Sequence, residues 1–302
     1  WVNCAMMVPV LRFGPRRPVW VNIPLHHEGN NLHNGEFQRH MAFAMLAQGA
    51  GGISQYGLPT TFSRQEPNRG TVSSRETTAH LNREILAPFG ELMARTEDGG
   101  ARIGIVVTLN QFLLDEYKRI GTAHMAEELW VACWRLGYPA AFLREDAFDA
   151  PLEGFQVIFV PDVRFEGELD EKVLRGLKEA MAAGTKVVVE AGSELHLPGV
   201  IRLDDMDLLN YYIAHYFPTW EDDELTKVYA KSQATTDYLR GKLPELGVEP
   251  AATGPFRVGP GWRSSGSLHY LVMANFEDPD YGHLVKQYMA RPVRMPLTVS
   301  AR

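Results

Sequence analysis

The stretch FQVIFVPDVRFEGELDEKVLRGLKEAMAAGTKVVVEAGS, residues 155–193, contains a strand, a helix and a second strand in direct succession. Its apolar runs, VIFV and VVV, are continuous rather than alternating, which is typical of strands covered on both faces of a sheet. Between them, DEKVLRGLKEAMAAG has apolar residues at helical spacing and places Gly184 where a helix would end. This order predicts a parallel sheet.

The same alternation extends to both sides of this stretch. ARIGIVVTLN predicts a strand, TAHMAEELWVACWRLG a helix ending at Gly137, and AAFLRE a short strand. DELTKVYAKSQATTDYLRGKL adds a helix on the C-terminal side, as does DLLNYYIAHYF. Residues 99–247 are therefore predicted to form a flavodoxin-like, doubly wound α/β domain with a parallel sheet.

This middle domain lacks the sequence features of two ligand-binding or catalytic classes. A flavin phosphate site would need Gly, Ser or Thr at a helix start, and VTLNQFLLDEYKRIGT is too bulky there. A glutaminase-like site would need a cysteine after a central strand, and FVPDVRFEG has none. We therefore interpret the domain as structural and expect no cofactor.

The two flanking segments have different patterns. Residues 1–98 contain two strand–helix units: PVWVNIPL, then GEFQRHMAFAMLAQG ending at Gly49, then GGISQYG, then SSRETTAHLNREILAPFGELMART with Ser73 or Ser74 as N-cap. Residues 248–302 contain short strands separated by Gly/Pro turns, of which LHYLVMANF is the strongest. We predict that this last segment begins a β-sandwich.

Composition excludes several classes of partner. The chain of 302 residues is 45% hydrophobic with a formal net charge of −7, so it has no basic field for nucleic acid. No apolar run approaches the ~20 residues of a membrane span. The two cysteines, Cys4 and Cys133, form neither a disulfide framework nor a metal set, and Cys133 is expected to be buried in a helix. The sequence begins and ends within segments of predicted structure, so we expect it to be an internal fragment of a longer protein. An extracellular or periplasmic location is favoured.

The strand PVWVNIPL ends in a cluster of polar side chains. HHEGNN follows it directly, with Glu28 as the only carboxylate. Because strand ends often carry active-site residues, Glu28 is the candidate catalytic group, although HHEGNN can also be an ordinary polar loop with a turn at Gly29. The residues that could bind a substrate beside it are Asn22, His26, His27, Asn30 and, at the end of the next strand, Tyr56.

Two further readings of this region are less favoured. A metal site at His26, His27 and Glu28 conflicts with strand geometry, since adjacent extended residues point to opposite sides, and no HExxH helix is present. We therefore predict no metal. Trp20 could stack on a sugar, but a tryptophan inside a strand is predicted to belong to the core.

Several of these stretches resemble a known family. PVWVNIP, the helix and strand AMLAQGAGGISQYG and the helix end LAPFGEL resemble the last two βα units of a glycoside hydrolase TIM barrel of the β-galactosidase type. VPDVRFEGELDEKVLRGLKEAMAAGTKVVV is similar to the flavodoxin-like trimerisation domain that follows that barrel. The resemblance implies the end of a (β/α)8 barrel, a flavodoxin-like domain and the start of a β-sandwich in a bacterial multidomain protein.

The resemblance also carries an expected activity. It implies hydrolysis of glycosidic bonds with a carboxylate pair, a carbohydrate substrate and a homo-oligomer. In the family the acid follows the fourth barrel strand, which this chain lacks, and the nucleophilic Glu falls where Asn22 or Ile23 stands here. Two interpretations remain open: a hydrolase that uses Glu28, or a non-catalytic carbohydrate-binding or assembly protein with a degenerate barrel.

Overall fold

The chain divides into two compact units, which are described separately. The computed structural model describes residues 19–24, 42–43, 45–56, 76, 78–98, 100–111, 113, 122–165, 167–204, 206, 222–253, 258–265, 268–275 and 298–299. The first unit comprises Trp1–Arg12, Arg17–Gly99 and Gly254–Leu297, and the second comprises Phe13–Arg16, Gly100–Thr253 and Thr298–Arg302. The predicted division into 1–98, 99–247 and 248–302 stays a prediction.

The described residues form strands and helices in a mixed α/β order. The strands are β1 (Trp20–Pro24), β2 (Gly52–Tyr56), β3 (Glu97–Asp98), β4 (Ile103–Val106), β5 (Ala140–Leu143), β6 (Val157–Phe159), β7 (Lys186–Glu190), β8 (Ile201–Leu203), β9 (Ala252–Thr253), β10 (Val258–Ser265), β11 (Leu268–Asn275) and β12 (Thr298–Val299). The helices are α1 (Ala87–Arg95), α2 (Thr122–Arg135), α3 (Glu171–Ala182) and α4 (Asp222–Glu245), with a π turn at Leu81–Leu86 and a 3-10 turn at Glu145–Asp149.

The second unit is built on a parallel sheet, as predicted. Within the described residues its five strands pair in the order β5–β4–β6–β7–β8, and every pairing is parallel. We call this the large sheet. All residues of β4 and β6 are buried, because the sheet is covered on both faces, and one core cluster includes Val106, Val173 and Val187. A mixed α/β fold with parallel sheets is therefore confirmed.

The helix ends explain why the chain reverses where it does. After α2 the N–H of Gly137 donates to the carbonyl of Trp134 at 3.1 Å, and the N–H of Tyr138 donates to that of Cys133 at 2.9 Å. This pair of bonds is a Schellman cap, whose C′ residue has a left-handed backbone that glycine adopts at low cost. The same cap ends α3 at Gly184, which has φ of 98°. These predicted helix ends are confirmed.

The first unit contains a parallel strand pair. β1 and β2 are in register from Trp20 opposite Gly52 to Pro24 opposite Tyr56. Val19 is buried in a small core together with Met45 and Leu81, and Val21, Ile53 and Ile85 pack against it. One face of this pair is therefore covered by helical residues.

The opposite face of the strand pair is open. Trp20 is 69% exposed, so the prediction that it belongs to the core is wrong. The reason is the strand pleat: Val19 and Val21 face the helices, and Trp20 therefore faces the other way. A Cβ atom at Gly52 would lie 2.7 Å from the Trp20 ring, so the ring lies directly over the backbone of β2.

A hairpin adds an antiparallel sheet to the first unit. β10 pairs with β11 from Val258 opposite Asn275 to Ser265 opposite Leu268, and β3 pairs with β10. Arg263 on β10 is buried and donates from Nε to Thr96 Oγ1 at 2.9 Å and from Nη2 to the Thr96 carbonyl at 2.6 Å. Because Thr96 is the C-cap of α1, this guanidinium attaches the helix end to the hairpin. The predicted β-sandwich stays a prediction.

The tight packing of β4 can be tested at Gly104. A Cβ atom there would lie 2.5 Å from Leu143 Cδ1 and 3.2 Å from Ile158 Cγ1, and both side chains are fully buried. We expect Gly104→Ala to lower the free energy of unfolding by about 1–3 kcal/mol through overpacking. Urea unfolding followed by far-ultraviolet circular dichroism measures the change.

The matched control adds the same methyl group at an open position. Gly241 lies inside α4 with nothing within 4 Å of its ideal Cβ. Gly241→Ala should raise the free energy of unfolding by about 0.5–1 kcal/mol, because alanine is the better helix former. An unchanged urea midpoint in Gly104→Ala would contradict the packing described for β4.

Candidate functional site

The carboxyl ends of β1 and β2 lie at one edge of the strand pair. Ile23 is opposite Gln55 and Pro24 is opposite Tyr56, and both strands run in the same direction. The segments that leave the strands at Pro24 and Tyr56 therefore start side by side, on the edge where barrel enzymes carry their active sites. Asn22 pairs with Ser54, whose side chain is exposed.

The structure describes only some of the candidate residues at these strand ends. Asn22 lies in the middle of β1, and Tyr56 is the last residue of β2, as the sequence predicted. The catalytic candidate Glu28 and the substrate-binding candidates His26, His27 and Asn30 lie outside the described residues. Their roles stay predictions.

A second polar cluster, which the sequence analysis did not select, lies at the carboxyl edge of the large sheet. After β4, the Thr108 N–H donates to Gln111 Oε1 at 3.0 Å, and Gln111 Nε2 donates to the Pro161 carbonyl at 2.8 Å. Gln111 is fully buried. Its two hydrogen bonds connect the segments that follow β4 and β6. In the strand order of this sheet, β4 and β6 flank the point where the connections reverse, which is where doubly wound folds bind ligands.

Three buried carboxylates extend this cluster toward β7. Glu190, the last residue of β7, accepts a hydrogen bond at Oε1 from the Asp162 N–H at 2.9 Å. The Asp162 side chain pairs with the Arg164 guanidinium, and the Arg164 N–H donates to Glu168 Oε2 at 2.8 Å. Asp162, Glu168 and Glu190 are 0%, 1% and 4% exposed. The sequence signal was a single carboxylate after each apolar strand, VVVE and FVPD.

The electrostatics of Glu190 differ from those of an ordinary surface glutamate. Burial, the largest effect, raises the pKa of its carboxyl group above the usual value, and the Asp162 carboxylate adds to the rise. Backbone N–H groups of Glu190 and Asp162 and the charge of Arg164 act in the opposite direction without cancelling it. The neutral form of Glu190 is therefore favoured by its surroundings.

Cys133 has the environment of a core residue rather than a nucleophile. It lies inside α2 with no exposed surface, next to the stacked rings of Trp130 and Trp134, whose centroids are 5.3 Å apart. Burial raises the pKa of its thiol to about 12. The prediction that Cys133 is a buried apolar residue is confirmed.

In the described part of the chain, no group of three His, Cys, Asp or Glu side chains could hold a metal ion. None of the helices described is both long and apolar enough to cross a membrane.

The fold is similar to that of a solved glycoside hydrolase structure. No protein-family model matches the sequence, and no curated protein matches it significantly. The fold is shared with a β-galactosidase from Bacillus circulans sp. alkalophilus, with a TM-score of 0.58 and 13% sequence identity. The match covers 89% of this chain and 51% of the β-galactosidase, so the chain spans about half the length of that protein.

Two further neighbours are more distant. An exo-carrageenase GH42 from Bacteroides ovatus has a TM-score of 0.49 and 10% identity, covering 89% of this chain and 36% of that one. An α-L-fucosidase isoenzyme 2 from Paenibacillus thiaminolyticus has a TM-score of 0.44 and 11% identity, covering 63% and 26%. The match to the Bacillus circulans sp. alkalophilus β-galactosidase confirms the resemblance for the fold alone.

The thiol of Cys133 provides a test of the helical core. With Cys4→Ser as background, we expect the folded chain to react with a disulfide reagent at pH 8 at least about 10³-fold more slowly than the unfolded chain. The reason is that a thiol of pKa about 12 is almost entirely protonated at that pH, and the thiolate is the nucleophile. Stopped-flow absorbance measures both rates, and a ratio under tenfold would contradict the buried position.

Proposed function

We propose that β1 and β2 are the last two strands of a (β/α)8 barrel and that residues 1–98 form the end of that barrel. In this proposal residues 99–247 form a flavodoxin-like domain, and residues 248–302 begin a β-sandwich. The open face of the strand pair supports the barrel. Parallel strands in known folds are covered on both faces, and a two-stranded pair is too small to be stable alone. A barrel interior would cover the face that carries Trp20, which is 69% exposed.

On this fold we propose a glycoside hydrolase that cleaves a glycan or oligosaccharide. This proposal is supported by the fold shared with a β-galactosidase over 89% of the chain. It is also supported by the carboxyl ends of β1 and β2, which lie side by side. A barrel active site forms from the loops at that end of its strands. Glu28 follows Pro24 by four residues, so covalent geometry keeps its Cα within about 14 Å of the strand end.

In the proposed mechanism Glu28 supplies one carboxylate of the pair. Glycosidic cleavage needs an acid that protonates the leaving oxygen and a second carboxylate that attacks the sugar or activates water. The second carboxylate comes from another barrel strand. The residues proposed to bind sugar hydroxyl groups are Asn22, His26, His27, Asn30 and Tyr56.

A non-catalytic carbohydrate-binding or assembly protein is the second candidate. It is favoured by Asn22 and Ile23, which stand where the resembled family has its nucleophilic Glu. A barrel that has lost this carboxylate keeps its polar rim and can still bind a sugar.

Turnover separates the two candidates. The protein is purified from its source and assayed on aryl glycosides of several sugars in both anomeric forms. We expect turnover on at least one, and Glu28→Gln should lower kcat at least about 10²-fold, because acid–base groups contribute about 10²–10⁴-fold.

The matched control is Glu76→Gln, the same change at an exposed helical glutamate, which should leave kcat unchanged. Equal turnover in Glu28→Gln and the unmodified protein would remove Glu28 from the mechanism. Sugar binding by calorimetry without turnover on any glycoside would favour the binding protein.

The barrel proposal has its own test, which does not depend on activity. We expect the denatured protein from its source to have an intact mass well above the 33.9 kDa of this chain, because the remaining barrel strands belong to the same polypeptide. Electrospray mass spectrometry measures it. A mass of 33.9 kDa would mean that another chain has to cover the Trp20 face, and a barrel within one polypeptide would be excluded.

A further inference from the structure

The segment after β6 contacts the end of β7 through the buried side chain of Glu190. The only described non-glycine residue with a left-handed backbone is Asp162, with φ of 60°. A side chain is costly in this conformation, and it persists where the surrounding contacts enforce it. Here the Asp162 N–H is aimed at Glu190 Oε1, 2.9 Å away, while Glu194 N–H donates to the Val163 carbonyl at 2.7 Å.

Glu190 is only half satisfied in this arrangement. Its Oε1 accepts the Asp162 N–H, whereas its Oε2 is buried and has no hydrogen-bond partner within the described residues. A buried carboxylate oxygen without a partner is costly when it is charged, and much less so when the group is neutral.

Among the described residues, the charged groups around Glu190 lie on the segment after β6 and on β8. Asp162 and Arg164 lie on the segment after β6 and pair with each other, and Arg164 is also bound through its N–H to Glu168. Arg202 on β8 donates to backbone carbonyls, including that of Glu190 at 3.3 Å. Arg164 is thus committed to Asp162, and Arg202 is committed to the backbone.

We propose that Glu190 is a pH-sensitive clasp that holds residues 161–165 against the carboxyl edge of the large sheet when its carboxyl group is neutral and releases them when it ionises. Ionisation places a negative charge at the unpartnered Oε2 beside the Asp162 carboxylate. Opening of the segment lets water reach that charge and relaxes the left-handed Asp162. Phe165, which is 42% exposed, lies in this segment, so the clasp also sets the position of an exposed aromatic ring.

The direction of the pH effect follows from the two protonation equilibria. Burial raises the pKa of Glu190 in the closed state, whereas in the open state the group regains its usual value near 4.3. Below the usual value both states are protonated and opening is independent of pH. Between the two pKa values the closed state holds one more proton, so the opening constant rises tenfold per pH unit. Above the raised pKa it stays at its maximum.

Hydrogen exchange measures this opening in the complete chain. Exchange is followed by mass spectrometry in peptides spanning residues 160–169, and observed rates are divided by the intrinsic chemical rates at each pH. The protection factor should be constant at acid pH, fall tenfold per pH unit above about pH 4.3, and level off at the raised pKa. Glu190→Gln keeps an oxygen acceptor for Asp162 N–H but cannot ionise, so its protection should not change with pH.

Two further variants make the result decisive. Glu194→Gln changes an exposed glutamate on the neighbouring segment and should keep the full pH dependence. Asp162→Asn keeps a residue that tolerates the left-handed backbone but removes the like charge, so protection should level off at a lower pH. The Asp162→Asn result remains informative if Glu190→Gln fails to fold. Constant protection in the unmodified chain, or an unchanged levelling-off pH in Asp162→Asn, would overturn the proposal.

Discussion

The coverage of parallel strands on both faces is the constraint on which the rest of the structure depends. In the large sheet the residues of β4 and β6 are buried throughout, and the core on one side includes Val173 of α3. In β1 and β2 the described helices cover one face only, which buries Val19 and leaves Trp20 exposed. The large sheet therefore has the cover that a parallel sheet requires, whereas the strand pair needs a further layer of protein.

The sequence predicted the strands and helix ends that leave a local pattern of apolar residues or glycines. Continuous Val and Ile runs predicted the buried strands, and glycines after apolar helices predicted the helix ends, because both depend on local chemistry. β8 was missed: its sequence IRL has a charged middle residue, Arg202, which is stabilised in the fold by carbonyls of the segment after β7. The π turn at Leu81–Leu86 was missed too, since it uses the same residue pattern as an α-helix.

The sequence shows that the candidate carboxylates follow strand ends, but it does not show which of them are buried. Glu28, Asp162 and Glu190 each come at or shortly after the end of an apolar strand, and this position alone marked Glu28. What separates the latter two from surface carboxylates is burial by loops from other strands. The hydrogen bond from Asp162 to Glu190 joins residues 28 positions apart. A contact of this kind depends on the order of strands in the sheet, and local sequence patterns do not predict that order.

A raised pKa and a catalytic role are separate properties. Glu190 has the raised pKa expected of a general acid, but its carboxyl group is buried and accepts a hydrogen bond from the Asp162 N–H. A general acid also has to lie within hydrogen-bond reach of the leaving oxygen, and a barrel provides that reach only at its loop-bearing rim. The proposed catalytic role therefore rests on the carboxyl ends of β1 and β2 rather than on Glu190. The pH response proposed for the large sheet needs no part in that chemistry, because its titrating group, Glu190, is buried.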